Sequence, residues 1–149
     1  MKIIPLLLIV SLALISCSQK GIQADLDDQA IKNYLTAHNL TAVKDVSGLY
    51  YIMTTEGTGT SPTVNSTVEV KYKGSLINGS VFDQTAADKT FTYPLNGLIV
   101  GWQIGIPMMK KGGKATFLIP SALGYGSRSA GPIPPNSVLV FDIELIDYK

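Results

Sequence analysis

The chain holds one cysteine, Cys17, one histidine, His38, and one tryptophan, Trp102. That inventory narrows the chemistry available. No disulfide can form within one chain, and no cysteine–histidine metal cluster can assemble. A Cys–His or Ser–His–Asp nucleophilic site would have to draw on His38. That residue sits in a polar N-terminal segment far from every glycine-rich loop, and such a site also needs a third group to orient its base. His38 therefore reads as a helix residue rather than a ligand. What remains is an aromatic set, Tyr72, Phe82, Phe91, Trp102, Tyr125 and Phe141, with Asp83 directly after Phe82. Taken singly these residues are ordinary. Large aromatics dominate packing in any core, Asp83 reads as a turn-end carboxylate, and Tyr125 between Gly124 and Gly126 reads as a loop anchor.

The elements that must position this set are legible from periodicity. In the stretch Leu98 to Lys114, the residues Leu98, Ile99, Trp102, Ile106 and Met109 recur at close to helical spacing. Gly112-Gly113 is the expected stop, and Pro107 is expected to kink or shorten the last turn. Thr41–Val46 and Leu49–Thr54 read as strands around Ser47-Gly48. Thr67–Leu76 alternates Val68, Val70 and Tyr72 with Glu69, Lys71 and Lys73, a half-buried strand. Asn78-Gly79 is a hairpin-turn signal. Thr90–Leu95, Lys114–Ile119 and Ser137–Asp147 complete the extended segments, the last with Leu139, Phe141, Ile143 and Leu145 on one face. Between the last two lies the loop from Pro120 to Asn136, and loops of such length are usually functional or disordered. Its prolines favour a stiff loop. Short strands around one helix predict an antiparallel α+β fold.

Composition sets the outer bounds. The 149 residues suit one domain, and a hydrophobic fraction of 46% supplies a sizeable core. The formal charge of +1 falls to neutral once residues 1–16, which contain Lys2, are set aside. A neutral body with scattered lysines gives no electrostatic case for nucleic acid. Lys110-Lys111 reads as a solvated helix end.

Residues 1–16 read as a targeting segment. Lys2 is the charged start, and the apolar run Ile3–Ile15 is shorter than the ~20 residues of a membrane span. It ends in Leu14-Ile15-Ser16-Cys17, which resembles the bacterial lipobox. The resemblance implies cleavage before Cys17, acylation there, and a membrane anchor made of several chains. The alternative is an ordinary cleaved signal. Residues 17–24 are then expected as a polar tether, and 25–47 as a short helix with an extension. Asp25-Leu-Asp-Asp28 opens that helix, Ile31, Tyr34, Leu35 and His38 form one face, and Asn39 suits its end. It is expected to dock on the body, 48–149.

Within that body, four motifs in order resemble the FKBP-type (macrolide-binding) peptidyl-prolyl cis-trans isomerases. They are Val70-Lys-Tyr-Lys-Gly74, Gly79-Ser-Val-Phe-Asp83, Leu98-Ile-Val-Gly-Trp102, and Tyr125-Gly126 through Ile133-Pro-Pro135 to Val140-Phe-Asp-Ile-Glu144. The resemblance covers about Leu49 to Lys149. It implies a curved antiparallel sheet wrapped around one short central helix, plus the short N-terminal helix read above. It further implies a pocket with Trp102 as floor and Tyr72, Phe82, Phe91 and Phe141 as walls. Leu98 and Ile99 would border a bound proline and offer backbone groups. Tyr125 and Ile133 would belong to an overhanging loop, and Asp83 would be the carboxylate at the edge. Asp83, Tyr125, Trp102 and Phe141 are the expected catalytic residues. The loop departs from common members: Ser127-Arg-Ser-Ala-Gly131 is about one residue shorter and has no aromatic residue or histidine.

The implied activity is rotation of X–Pro bonds in exported proteins, with no cofactor or metal and no covalent step. The rival reading is a lipid-anchored proline-peptide-binding module or holdase chaperone with little turnover. Expected partners are proline-containing polypeptides, macrolides such as FK506 or rapamycin competing for the pocket, and the membrane through Cys17. The expected location is the bacterial cell envelope, at the outer membrane facing the periplasm, and the expected state is a monomer.

Overall fold

The computed structural model describes the backbone of residues 6–149 and the side chains of residue 19 and of residues from 21 onward. The leader expected at residues 1–16 and the lipidation site at Cys17 fall outside the side chains so described. The first element is helix α1, Leu6–Ala37. It corrects two expectations. The tether from Ser18 to Ala24 is helical, and the helix does not open at Asp25. No proline interrupts this stretch, and Gln, Lys, Ala and Leu are good helix formers, so the lone Gly21 does not break it. α1 does end where expected. Asn39 takes a left-handed φ of 52°, and the Leu40 N–H reaches back to the Leu35 carbonyl at 2.9 Å, the bond that closes a Schellman cap. Among the described residues no helix is long and apolar enough to cross a membrane.

Seven strands follow: β1 Val43–Lys44, β2 Tyr50–Thr55, β3 Thr67–Leu76, β4 Val81–Gln84, β5 Phe91–Pro94, β6 Lys114–Ile119 and β7 Leu139–Tyr148. They form one antiparallel sheet in the order β1-β2-β6-β7-β3-β4, with β5 also paired to β3. Between β5 and β6 lies helix α2, Val100–Gly105, continued by a 3-10 turn, Ile106–Met108. The helical stretch is therefore shorter than the sequence pattern implied. It stops at Met109 rather than at Gly112-Gly113, and Leu98 and Ile99 precede it in extended conformation. Pro107 falls within the 3-10 turn, consistent with the α-helical bonds ending there.

The sheet is covered on both faces. One face packs on α2 through Leu49, Val68, Val70, Phe117, Ile119, Leu139, Phe141, Ile143 and Leu145. The other packs on α1, where Ile31 and Leu35 meet Tyr50, Leu118, Val138 and Val140. The period-2 alternation of strands produces this split: Phe117 and Ile119 face α2, while Leu118 between them faces α1. Complete burial of Ile31 contributes on the order of 1.5–3 kcal/mol to the docking of α1. Polar ties flank that seam. Asp28 accepts hydrogen bonds from Lys44 Nζ at 2.6 Å and from the Tyr50 hydroxyl at 2.7 Å, and pairs with Lys32 at 2.7 Å. His38 is exposed and stacks on Tyr34.

Candidate active site

Trp102 is placed by the two glycines on either side of it in α2. A Cβ on Gly101 would sit 2.6 Å from Ile119, and one on Gly105 would sit 2.8 Å from Phe117. Only hydrogen at these positions lets α2 lie directly on β6. Trp102 is then 4% exposed, with its ring centroid 5.2 Å from Phe141, 5.3 Å from Tyr72 and 6.5 Å from Phe91. All three neighbours meet it near the perpendicular, the edge-to-face arrangement that aromatic quadrupoles favour.

The walls come from four strands, β3, β4, β5 and β7. β3 and β7 run in register with Gly74 opposite Phe141. β3 and β4 pair Gly74 with Asp83 and Ser75 with Val81, so Phe82 is the extra residue of a bulge. A bulge breaks alternation and re-aims side chains, and here consecutive Phe82 and Asp83 both line one cavity. Phe82 packs on Phe141 at 5.5 Å. Gly74 permits that contact: a Cβ there would lie 2.6 Å from the Phe82 ring and 2.7 Å from the Phe141 ring. Phe91 stands edge-on to Tyr72 at 5.7 Å and carries the exposed Tyr93 stacked on its outer side.

All ten expected pocket residues, Tyr72, Phe82, Asp83, Phe91, Leu98, Ile99, Trp102, Tyr125, Ile133 and Phe141, line this single cavity of about 570 Å³. Gly97, Ala130, Gly131 and Pro132 join them. The size falls in the range of small-molecule and peptide pockets, ~300–1,000 Å³. The overhanging loop is built rather than floppy. A 3-10 turn, Ser121–Leu123, opens it. The Ser121 carbonyl accepts the N–H groups of Gly124 and Gly126, and Ala130 and Ile133 exchange both their backbone bonds at 3.0 Å. Tyr125 is held between those two glycines with 38% of its surface exposed.

Polar groups are few. The Tyr72 hydroxyl donates to Asp83 Oδ2 at 2.5 Å. Burial, then that hydrogen bond and the nearby carboxylate charge, push the Tyr72 pKa far above its ordinary value. Tyr72 thus keeps its proton and stays a donor to Asp83. Leu98 and Ile99 present backbone. The Ile99 carbonyl takes the N–H groups of Trp102 and Gln103, and no acceptor among the described residues meets the N–H of Ile99 itself. Gln103, which sequence reasoning passed over, holds this segment by donating from Nε2 to the Leu98 carbonyl at 2.7 Å. Its signal, a polar residue one place after Trp102, is indistinguishable from that of any solvated helix residue. Trp102 Nε1 is buried with no hydrogen-bond partner among the described residues, and an orphaned donor of this kind costs about 1–3 kcal/mol.

Comparison with known proteins adds descent to geometry. A protein of Buchnera aphidicola named FKBP-type peptidyl-prolyl cis-trans isomerase FkpA is 49% identical over 108 residues, covering 71% of this chain and 43% of that protein. The Escherichia coli K12 protein of the same name is 38% identical over 139 residues, covering 90% of this chain and 52% of its own. The chain thus spans about half the length of these curated relatives. The crystal structure of FkpA from Escherichia coli superposes with a TM-score of 0.76 at 35% identity, covering 90% of this chain and 64% of that one. A peptidyl-prolyl cis-trans isomerase from Pseudomonas syringae superposes with a TM-score of 0.72 at 32% identity, covering 84% of this chain and 95% of that one. The family profile described as FKBP-type peptidyl-prolyl cis-trans isomerase matches residues 58–146, from the loop before β3 to within β7, and so takes in every residue of the cavity. The chain belongs to the FKBP-type peptidyl-prolyl cis-trans isomerase family.

Proposed function

We propose that this chain accelerates rotation about X–Pro peptide bonds in exported polypeptides, using the cavity above Trp102. The observation that carries the reading is the convergence of the aromatic set, Asp83, Leu98 and Ile99 on one cavity. Rotation about a peptide bond faces a barrier of ~18–20 kcal/mol, and no covalent bond has to be made to lower it. A planar amide is more charge-separated than a twisted one. An apolar, water-poor cavity therefore favours the twisted state, which is differential binding of the transition state.

Individual roles follow from position. Trp102, Phe141, Phe82, Phe91 and Ile133 enclose the proline ring and exclude water. The Ile99 N–H donates to a substrate carbonyl, which fixes one side of the bond while the other turns. Tyr125 donates from the loop to the neighbouring carbonyl. Asp83, locked by Tyr72, orders the polar edge; it is not a general base, because the reaction moves no proton. FK506 or rapamycin competes for the same cavity.

The reading extends to location. The lipobox Leu14-Ile15-Ser16-Cys17 supports acylation of Cys17 and anchoring in the cell envelope. Several acyl chains are needed for stable attachment, at about 0.8 kcal/mol per buried methylene. Labelling with a radioactive fatty acid in a bacterial host tests this: the full chain takes up label and Cys17→Ser does not. Equal labelling of both contradicts the anchor.

The activity is tested with a protease-coupled assay on a short X–Pro peptide. The protein speeds cis-to-trans conversion, Phe141→Leu slows it at least tenfold by leaving the floor uncovered, and a saturating macrolide abolishes it while altering Trp102 fluorescence. An unchanged conversion rate, combined with suppressed aggregation of unfolded chains, points to a holdase and sinks the isomerase reading.

A further inference from the structure

Helix α1 carries a second aspartate, next to Asp28, with a different setting. Asp27 is 3% exposed and is the one buried carboxylate among the described residues. Its Oδ2 accepts two bonds from a single residue of the body, from the Ser121 N–H at 2.8 Å and the Ser121 hydroxyl at 2.6 Å. Its Oδ1 accepts from Gln23 Nε2 at 2.7 Å. Among the described residues no cation joins this cluster. A carboxylate removed from water is expensive unless its oxygens are satisfied, and here every bond comes from a neutral donor. Packing α1 on the sheet does not require such a group, since Ile31 and Leu35 already supply an apolar seam.

The position of Ser121 explains what the carboxylate achieves. Ser121 opens the 3-10 turn at the root of the overhanging loop. Its N–H and hydroxyl face Asp27, while its carbonyl faces the other way and accepts the Gly124 N–H at 3.0 Å and the Gly126 N–H at 2.8 Å. Those two glycines flank Tyr125. The Gly126 carbonyl in turn accepts the Asn136 N–H at 2.8 Å, which ties the far end of the loop to the same point. One chain of bonds thus runs from Asp27 through the N–H, hydroxyl and carbonyl of Ser121 to the turn that holds Tyr125 over the cavity.

We propose that Asp27 is a positioning residue for the site: α1, by clamping Ser121, sets where Tyr125 stands over a bound proline peptide. The proposal rests on the isomerase reading for its consequence in rate, but not for the clamp itself. α1 thereby becomes part of the active-site scaffold, although it lies on the opposite face of the sheet from α2.

The test is a double-mutant cycle on the full chain, which isolates coupling between two residues. Asp27→Ala lowers kcat/KM on the X–Pro peptide by about tenfold, a coupling of ordinary size for linked polar groups. In the Tyr125→Ala background the same change has an effect within about twofold. Asp27→Asn, which keeps shape and an acceptor, restores most of the rate, and Ser121→Ala, which removes only the hydroxyl bond, gives an intermediate loss. Asp28→Asn loosens α1 at its other polar ties and lowers the thermal midpoint, but leaves kcat/KM unaltered well below that midpoint. Amide hydrogen exchange reads the clamp directly: Gly124 and Gly126 exchange faster in Asp27→Ala, while β6 and β7 do not. Equal losses from Asp27→Ala with and without Tyr125, or unchanged exchange at the two glycines, overturn the proposal. A wild-type chain that fails to accelerate the peptide sinks the isomerase reading instead, and the exchange measurement still decides the clamp.

Discussion

Replacing Gly74 by alanine offers a sharp perturbation of the cavity wall. The added Cβ would lie 2.6 Å from Phe82 and 2.7 Å from Phe141, whereas carbon atoms rest ~3.5–4.0 Å apart. Both rings must therefore retreat by roughly 1 Å. Neither can do so alone. Phe141 is packed at 5.2 Å against Trp102, and Phe82 at 5.5 Å against Phe141, so the displacement passes from wall to floor. Overpacking of this kind costs about 1–3 kcal/mol, which lowers the thermal midpoint of a domain this size by about 4 °C per kcal/mol. A misplacement near 1 Å also lowers rate by up to about 10²-fold. Gly74→Ala is thus expected to lose about ten- to a hundredfold in kcat/KM, measured by the protease-coupled assay. The matched control is Gly113→Ala, whose Cβ would meet the Lys110 carbonyl at 2.8 Å outside the cavity lining. It loses stability and keeps its rate. If denaturant titration shows both variants destabilised and both retain wild-type kcat/KM, the placement of the aromatic wall does not govern turnover and the reasoning fails.

Three further outcomes are expected. Tyr72→Phe releases Asp83 and removes about 0.5–1.5 kcal/mol of hydrogen bonding, lowering kcat/KM threefold to tenfold on that scale while the fold persists by circular dichroism; an unchanged rate denies Asp83 any ordering role. Gln103→Ala frees the Leu98 carbonyl and loosens the segment that presents the Ile99 N–H, so KM rises with kcat little altered; a fall in kcat at constant KM contradicts that assignment. Asp28 is held well below its ordinary carboxyl value of 3.8 by hydrogen bonds from Lys32, Lys44 and Tyr50. A depressed folded-state value means the stabilisation is complete above the unfolded value and vanishes as pH falls through the folded one. Asp28→Asn therefore melts earlier than wild type at neutral pH, with the gap closing as pH falls below about 4; a gap independent of pH removes the ion-pair explanation.

Much of the sheet was legible because alternation is a local signal. β3 reads at its true ends, since Val68, Val70 and Tyr72 on one side and charges on the other admit one register, and the ends of β6 agree as well. The helices were harder. α2 was read too long because Leu98, Ile99 and Met109 match helical spacing while lying in extended chain at its two ends. Periodicity reports which residues share a face and not whether the backbone between them is hydrogen-bonded. α1 was read too short because the charge cluster at Asp25–Asp28 imitates a helix start. In the fold, Asp27 and Asp28 are interior helix positions that serve partners on the body, Ser121 in one case and Lys44 and Tyr50 in the other.

The order of residue types along the chain determined the fold class, the family and the identity of the pocket set, because each depends on patterns within a few tens of residues. Three-dimensional packing alone decided how that set meets. The Phe82–Phe141 contact over the bare face of Gly74 and the Asp27–Ser121 bond across 94 positions both join segments remote in sequence, and the bulge that turns Phe82 and Asp83 to the same side is set by how β4 pairs with β3. Their geometry depends on how far two backbones approach, and that distance is set by everything packed around them.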